Sequence, residues 1–487
     1  MSKGGYRRER VGLVLGPLFF AALLLLPLGE VPQPAQRMMA VAALMAIFWV
    51  SEAIPLAATS LFPLALYPLL GLGSASESSA PYANHLVFLF LGGFMLAQAM
   101  QRWGLHRRIA LQIVRRVGTS PPRLVLGFMC ASGFLSMWVS NTATVAMMMP
   151  IGFAVVQQAA EGVGRESNID VRPGRFHFGV DLMLGIAYGS SIGGVATLIG
   201  TPPNVLLAGT MAETRGIEIS FLEWLAFGLP LSAVFLPLTW VWLTKFAFPL
   251  EIDSIPGGGE QIEVEMRRLG PLTTPEKRLA VVFGLTAAAW TFAPVWTAWI
   301  PTGSLVTDST IAMIAAVSLF ALPAGNGERL LDWESASKLP WHVVLLFGGG
   351  FSLAAGFERS GLSTWVGEGL IAFEQAPLPI FIVVVVTLLV TLTEFASNTA
   401  SAAMSIPLLA ATADTMGISP LLLAIPATVA ASCAFMLPAA TPPNAIVFGT
   451  GYFTLPQLAK AGIGVNLLGI VLVSLFTWFV ARPIFGI

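Results

Sequence analysis

The sequence predicts an all-α polytopic membrane protein with about eleven transmembrane helices and two re-entrant hairpins in an inverted repeat. Three observations support this fold class. Of the 487 residues, 56% are hydrophobic and only 10% are charged, whereas soluble domains carry about 25% charged residues. Apolar runs long enough to cross a bilayer, which takes about 20 residues, recur along the whole chain. Polar blocks inside these runs occur twice, in the same order.

Composition also excludes several classes of protein. The net charge of −1 argues against nucleic acid as a partner. The two cysteines, Cys130 and Cys433, both lie in apolar runs and do not suggest a disulfide framework or a thiolate metal site. The sequence has no HExxH motif and no paired aspartates in its apolar segments, so we expect no enzyme activity and no cofactor.

The N-terminus is read as a first transmembrane helix with a cytoplasmic start. Residues 1–10 are polar and basic, residues 11–28 are apolar, and no small-residue cleavage site follows them. Eleven spans are predicted by apolar runs near 11–28, 38–53, 55–72, 85–102, 181–212, 221–248, 279–300, 308–323, 342–359, 420–450 and 456–481.

Two further apolar segments, 121–158 and 377–412, are too long for one span and carry Ser-Asn-Thr at their centres. We read each as a re-entrant hairpin, because polar backbone at membrane depth needs cover from protein or a watery cavity. This topology places 21 of the 25 Lys and Arg residues on the cytoplasmic side and 4 outside. That bias supports an integral protein of a bacterial inner membrane with its N-terminus in the cytoplasm.

Three blocks of sequence recur. The aligned pairs are 85–105 with 342–362, 140–151 with 397–408, and 201–210 with 441–450, and they share 12 of 21, 7 of 12 and 6 of 10 positions. Five predicted spans separate the two starts, so the copies face opposite ways. Inverted repeats of this kind are typical of secondary transporters, whose site lies at the repeat interface.

The repeats divide the chain into five parts. Scaffold helices are expected in 1–84 and 279–341, the two repeats in 85–250 and 342–487, and a cytoplasmic linker in 251–278.

The two tripeptides, Ser140-Asn141-Thr142 and Ser397-Asn398-Thr399, are candidate anion-binding turns. A half-helix that begins at such a break directs unpaired backbone N–H groups and its positive dipole end into the cavity. Two turns, one from each repeat, suit an anion with two charged ends, such as a dicarboxylate.

The same segments offer oxygens for a small hard cation. Ser136 lies four residues before Ser140, and Thr393 lies four before Ser397, so each pair shares a helix face. The asparagine side chains and the carbonyls of 200–204 and 440–444, which contain the Thr-Pro-Pro-Asn blocks, would complete the ligands. Oxygen ligands favour Na⁺ over a soft metal.

The duplicated Ser-Asn-Thr and Thr-Pro-Pro-Asn blocks make the chain resemble the divalent anion/sodium symporter family over nearly its whole length. The resemblance implies that substrate carboxylates contact Asn141, Thr142, Asn398 and Thr399, with Thr201 and Thr441 bordering them. It implies one sodium site at Ser136, Ser140, Asn141 and Gly200, and a second at Thr393, Asn398 and Ala440. It also implies a homodimer in which a transport domain slides against a scaffold in an elevator motion.

The predicted function is therefore sodium-coupled symport of a divalent anion, with a C4-dicarboxylate such as succinate, malate or fumarate favoured because no guanidinium is placed for a third carboxylate. The alternative is a sodium-independent or proton-coupled exchanger on the same fold, carrying a dicarboxylate, sulfate or citrate. Glu394 leaves two roles open: carrying a proton or shaping the sodium site, or accepting hydrogen bonds from nearby backbone N–H groups. The basic stretch 106–116 is expected to lie on lipid headgroups as an amphipathic helix.

Overall fold

A computed structural model describes residues 3–29, 31–166, 169–255, 259–325, 327–369 and 377–487. The prediction of an all-α protein is confirmed. Within these ranges the only β-type pairing is one isolated bridge between Pro323 and Arg329.

The described residues form 25 α-helices, with short 3₁₀ and π segments between some of them. The α-helices are α1 Lys3–Leu25, α2 Gln33–Ser51, α3 Leu56–Thr59, α4 Phe62–Leu70, α5 Ala75–Ser79, α6 His85–Arg102, α7 Leu105–Val117, α8 Pro121–Ser136, α9 Asn141–Glu166, α10 His177–Gly194, α11 Pro202–Arg215, α12 Phe221–Val241, α13 Glu260–Leu269, α14 Thr274–Thr291, α15 Ala293–Thr297, α16 Asp308–Ala321, α17 Trp333–Ser337, α18 Trp341–Ser360, α19 Leu362–Gly369, α20 Leu378–Thr393, α21 Asn398–Thr415, α22 Leu421–Ala431, α23 Pro442–Phe448, α24 Leu455–Phe476 and α25 Arg482–Phe485.

Length and composition make six of the described helical segments able to cross a bilayer. They are Gln33–Ser51, Ala75–Arg102, Asn141–Gly164, Phe221–Ala247, Trp341–Ser360 and Leu455–Phe485. Four shorter apolar segments, Leu56–Leu70, Asp308–Ala321, Leu378–Thr393 and Leu421–Ala431, coincide with predicted spans or hairpin arms. The total of eleven spans therefore stays a prediction.

The long apolar segments are broken at the tripeptides that the sequence singled out. The first hairpin consists of α8 and α9, which meet around 137–140, and the second consists of α20 and α21, which meet around 394–397. The segments with Thr-Pro-Pro-Asn are also broken, α10 from α11 and α22 from α23. In both of these the prolines occupy the first two positions of the second half-helix, where a missing N–H costs no intrahelical bond.

The four broken helix pairs pack into one bundle, to which each repeat contributes helices that touch the other. The second half-helix of each break contacts a hairpin of the other repeat, α23 against α9 and α11 against α21. Within the first repeat α10 lies directly on α8, because Gly193 faces the Gly133 backbone with no room for a Cβ between them. The breaks of both repeats are thereby held in the same bundle.

The basic helix α7 contacts the linker. Arg107 pairs with Glu265, and the buried Arg108 binds Glu276 with its Nε 2.7 Å from Oε1. Arg115 lies 3.8 Å from Glu263. Three arginines are thus directed at α13 and the start of α14, and the contact of this stretch with lipid headgroups stays a prediction.

Candidate functional site

The first hairpin tip is closed by a hydrogen-bonded pair five residues apart, on either side of the helix break. The Ser136 hydroxyl at the end of α8 donates to Asn141 Oδ1 at 2.5 Å, across the break to the first residue of α9. Ser190, in the middle of α10, lies 3.2 Å from the Ser136 hydroxyl and donates to the Asn141 carbonyl at 3.1 Å. The predicted Ser136 and Asn141 are therefore brought together, and Ser190 joins them.

The second hairpin tip repeats this arrangement. The Thr393 hydroxyl at the end of α20 lies 2.9 Å from Asn398 Oδ1 and 2.7 Å from the Ala431 carbonyl. Thr393 and Asn398 occupy the positions of Ser136 and Asn141 in the alignment of the repeats. Both predicted hydroxyl–asparagine pairs are thus formed, and each uses the carbonyl-type oxygen of the asparagine.

The asparagine of each Thr-Pro-Pro-Asn block fastens the loop before it. Asn204 Nδ2 donates to the carbonyls of Gly194, Val195 and Thr197, the shortest at 2.7 Å. The amide thereby satisfies three carbonyls of the loop between α10 and α11.

Asn444 fastens the corresponding loop of the second repeat. Its Nδ2 donates to the carbonyls of Ala434 and Leu437 at 3.0 and 3.1 Å. These two residues align with Gly194 and Thr197, so the hydrogen bonds from the asparagine to the loop before it recur in both repeats.

Gly194 packs tightly against the first hairpin tip. A Cβ built on Gly194 would lie 2.6 Å from Asn141 Oδ1, 3.2 Å from Asn141 Nδ2 and 3.2 Å from the Gly200 carbonyl oxygen, too close for a side chain to fit. Two predicted sodium ligands, Asn141 and Gly200, therefore lie beside the same glycine. Their oxygens are of the kind that suits a hard cation such as Na⁺.

Four repeat-related polar atoms near the breaks are buried with no hydrogen-bond partner among the described residues. They are Thr144 Oγ1 and Ser401 Oγ, one turn into the second arm of each hairpin, and Asn204 Oδ1 and Asn444 Oδ1. Buried polar atoms without partners are rare and usually mark an unseen water or ion. Their recurrence in both repeats indicates a polar interior that small ligands or water can complete.

The remaining predicted residues line the same breaks with different exposure. Thr201 and Thr441 are buried N-caps with nearly identical extended backbones, at φ −144° and −140°. Thr142 is exposed, whereas Thr399 is 9% exposed. The Ser140 hydroxyl accepts weakly from the Ala143 N–H at 3.4 Å, and Ala440 closes a turn by donating to the Leu437 carbonyl.

Glu394 binds backbone N–H groups, one of the two roles that the sequence left open. Its Oε1 accepts from Phe435 N at 2.7 Å and Met436 N at 2.9 Å, and its Oε2 accepts from Leu437 N at 3.0 Å. Asn466 of α24 donates to the same carboxylate at 2.8 Å. The carboxylate therefore joins the second hairpin tip to the loop between α22 and α23.

Three contributors to the site were missed by sequence reasoning. Ser190 touches the first tip, the Thr197 hydroxyl donates to the Met137 carbonyl at 2.5 Å, and Tyr188 donates to the Phe435 carbonyl at 2.8 Å. All three lie in or just after the apolar helix α10. The signal was the polar run at 188–191, which interrupts a segment that is otherwise apolar and uncharged.

A cavity of about 840 Å³ lies beside the second tip. Its walls come from α1, from α2 and from the tip and loop residues Glu394, Phe395 and Leu437. Phe395 is 63% exposed, two residues before Ser397. The second tip is therefore reachable from this cavity.

Comparison with known proteins adds a family to this geometry. The family model described as the sodium:sulfate symporter transmembrane region matches residues 8–485. The chain belongs to this sodium:sulfate symporter family. The prediction of a divalent anion/sodium symporter relative is confirmed, and so is the prediction that the chain is a transporter rather than an enzyme.

Two curated relatives are named for sodium-dependent dicarboxylate transport. The chain is 46% identical over 486 residues to the sodium-dependent dicarboxylate transporter SdcS of Staphylococcus saprophyticus, covering 98% of this chain and 92% of the relative. It is 43% identical over 484 residues to SdcS of Staphylococcus aureus strain USA300, with the same coverage.

Two solved structures share the fold of this chain at low identity. The YdaH transporter of Alcanivorax borkumensis matches with a TM-score of 0.58 at 13% identity, over 93% of this chain and 99% of that one. MtrF of Neisseria gonorrhoeae, described as one of a class of antimetabolite efflux pumps, matches with a TM-score of 0.56 at 14% identity, over 94% and 97%.

Proposed function

We propose that this symporter couples the inward movement of Na⁺ to uptake of a C4-dicarboxylate such as succinate, malate or fumarate. The observation that carries the proposal is that the same hydroxyl–asparagine hydrogen bond recurs at both hairpin tips. Ser136 with Asn141, and Thr393 with Asn398, place a hydroxyl on an asparagine oxygen at each hairpin tip. The relatives named for sodium-dependent dicarboxylate transport support the same substrate class.

The dianion is assigned to the two helix starts. Asn141 and Thr142 open α9, and Asn398 and Thr399 open α21, so both tips present unpaired backbone N–H groups and side-chain donors. Thr201 and Thr441 start the neighbouring half-helices and border the same space. A carboxylate at each tip matches an anion with two charged ends.

Sodium is assigned to the oxygens behind each tip. In the first repeat Asn141 Oδ1, the Gly200 carbonyl and the hydroxyls of Ser136 and Ser140 are the proposed ligands, beside Gly194. In the second repeat they are Thr393, Asn398 and the Ala440 carbonyl. An ion that takes over the asparagine oxygen releases the serine or threonine hydroxyl and orders the tip before the anion arrives.

The movement is assigned to an elevator. The bundle of α8–α12 and α20–α24 would carry the site past a scaffold that includes α2, α6, α16 and α18, in a homodimer with inverted repeats and a cytoplasmic N-terminus in a bacterial inner membrane. The cavity between α1, α2 and the second tip lies between the two groups of helices, where such a motion would open and close space.

Uptake of radiolabelled succinate into proteoliposomes tests the proposal. With an inward sodium gradient we expect accumulation that unlabelled malate and fumarate suppress and sulfate does not. Equal accumulation with choline in place of sodium would overturn symport. If an inward proton gradient then drives uptake, the exchanger or proton-coupled alternative holds.

A further inference from the structure

One arginine binds two acidic side chains where three helices end. Arg215, Glu358 and Asp414 lie in the last turns of α11, α18 and α21. Nη2 of Arg215 lies 2.6 Å from Asp414 Oδ2 and 3.0 Å from Glu358 Oε1. The arginine side chain is 10% exposed, so most of it is shielded from water. The guanidinium therefore joins two carboxylates at the same end of these helices.

Both acidic residues stand where a helix disfavours them. The C-terminal end of a helix carries a partial negative charge, which favours a basic residue such as Arg215 and opposes an acidic one. Glu358 and Asp414 nevertheless lie in such ends. Helix formation therefore does not account for either acidic residue, whereas their shared guanidinium does.

The two carboxylates belong to different groups of helices. Helix α18, which carries Glu358, packs on α2 and α3 of the scaffold, and Tyr67 of α4 donates to its Ser352 carbonyl at 3.0 Å. Helix α21, which carries Asp414, contacts α11 within the bundle that holds the site. The pair of Arg215 with Asp414 thus lies inside the bundle, and the pair of Arg215 with Glu358 joins the bundle to the scaffold.

Asp414 is sufficient to hold the arginine within the bundle. Its Oδ2 accepts from Nε of Arg215 at 3.1 Å as well as from Nη2, and the Thr214 hydroxyl oxygen accepts from Nη1 at 2.6 Å. The bond to Glu358 is therefore an addition to an arginine that is already bound. It is also the bond that a movement of the bundle past α18 would break.

The chain on either side of Arg215 makes further polar contacts with the scaffold. Before it, Glu213 Oε2 accepts from Nδ2 of Asn84, the residue that caps α6, at 3.0 Å. After it, the Phe221 N–H donates to Oδ2 of Asp308 at the start of α16, at 2.6 Å. The segment 213–221 is thus bound to α6, α16 and α18 at one end of the scaffold.

The cavity beside the second tip lies at the opposite end of the scaffold. Arg359, which follows Glu358, reaches the turn after α4, and the end of α4 accepts a hydrogen bond from Arg37 near the start of α2. The cavity is walled by residues 46–51 at the other end of α2, a helix about 28 Å long. The bundle is therefore bound to the scaffold at one end of α2, and a cavity separates the two at the other end.

We propose that the ion pair of Arg215 with Glu358 is a latch on the outer face that stabilises the inward-open state. The proposal rests on the proposed function, because the elevator supplies the movement that breaks the pair and the cytoplasmic N-terminus makes the cavity face inward. Arg215 travels with Asp414, whereas Glu358 stays with α18. An intact latch lowers the population of the outward-facing state, which raises the external succinate concentration that uptake requires.

Two neutral substitutions separate the latch from the fold. Glu358→Gln removes the charge on the scaffold side, and Asp414→Asn, the matched control, removes the charge that travels with Arg215. Uptake into right-side-out membrane vesicles is measured under an inward sodium gradient. We expect the external succinate concentration for half-maximal uptake to fall about threefold in Glu358→Gln, because the outward-facing state gains population. Asp414→Asn should not lower it, and a weakened fold alone would not lower it either.

A reversible cross-link tests the movement itself. Arg215→Cys with Glu358→Cys, joined from outside by a short bis-methanethiosulfonate, should lose nearly all uptake and regain it when the link is reduced. Arg215→Cys with Asp414→Cys, joined in the same way, should keep its uptake, because both positions move together. The unmodified protein treated with the same reagent controls for Cys130 and Cys433.

An unchanged or higher half-maximal concentration in Glu358→Gln would overturn the proposal, and so would uptake that persists through the link between positions 215 and 358. If Glu358→Gln does not fold, the cross-link decides alone. If the unmodified protein accumulates no succinate under a sodium gradient, the proposed function itself fails, a result distinct from failure of the latch.

Discussion

The two repeats form the same hydroxyl–asparagine pair in different surroundings. At the first tip Ser136 meets Asn141 beside a glycine, Gly194, and a neutral Met137. At the second tip Thr393 meets Asn398, the residue aligned with Gly194 is Ala434, and Glu394 takes the place of Met137. The comparison teaches that the hydroxyl–asparagine pair is the shared requirement, while space and charge around it distinguish the two tips.

Removing either asparagine side chain should have the largest effect. Asn141→Ala and Asn398→Ala each delete the amide oxygen that pairs with the hydroxyl at one tip, and also the amide donor proposed to bind the anion. Hydrogen bonds to a charged group contribute about 1.5–3 kcal/mol, so we expect succinate uptake to fall about 100-fold in each variant.

Proteoliposome uptake measures this effect, and gel filtration confirms that each variant is folded. Ser191→Ala, at a neighbouring hydroxyl of α10, serves as the control. Near-normal uptake by one asparagine variant would show that its repeat is scaffold only.

Adding a methyl group at the first tip should disturb one tip and not the other. The new Cβ of Gly194→Ala would lie 2.6 Å from Asn141 Oδ1 and would displace this proposed sodium ligand. We expect about a tenfold rise in the sodium concentration for half-maximal uptake, whereas Ala434→Gly in the second repeat should change it by less than about threefold. Equal responses of the two variants would contradict the assignment of sodium to Asn141.

Removing the hydroxyl of Ser136 or Thr393 tests whether the two hairpin tips bind sodium independently. Ser136→Ala and Thr393→Val should each weaken sodium dependence about three- to tenfold, because a neutral hydroxyl contributes about 1 kcal/mol. Thr393→Ser keeps the hydroxyl and should behave nearly as the unmodified protein. An unchanged sodium response in the double variant would favour the exchanger alternative.

A substitution outside both repeats should change stability and leave the site intact. Burial raises the pKa of the Glu276 carboxyl, but hydrogen bonds from Arg108 and Thr273 outweigh it and lower the pKa below 4.5. The lowered pKa means that the ion pair stabilises the fold above pH 4.5 and that this contribution is lost as the pH falls further.

Glu276→Gln should therefore unfold at a lower temperature than the unmodified protein at pH 7, with the difference shrinking towards pH 4. Losing one partner of a buried pair costs about 3 kcal/mol. The sodium and succinate concentrations for half-maximal uptake should stay unchanged, and a shift in either would mean that this scaffold contact reaches the site.

Much of this arrangement could be predicted from the sequence, because the broken helices are marked by polar residues in apolar runs. The repeats and the breaks at the Ser-Asn-Thr and Thr-Pro-Pro-Asn blocks follow from the sequence pattern, and the place of Asn141 beside Ser136 follows from the family resemblance. The contact of Ser190 with the tip depends on which face of α10 meets it, and the hydrogen bonds of Asn204 depend on how the loop before it folds back, so neither was predicted. The partners of Glu394 lie 41 to 72 residues away in sequence, beyond any local pattern.

A structure determined with sodium and succinate present tests the central claim most directly. The account predicts succinate between Asn141 and Asn398, one carboxylate at each hairpin tip, with an ion bound to Asn141 Oδ1 and the Gly200 carbonyl. Succinate bound to one tip alone, or bound away from both, would contradict it.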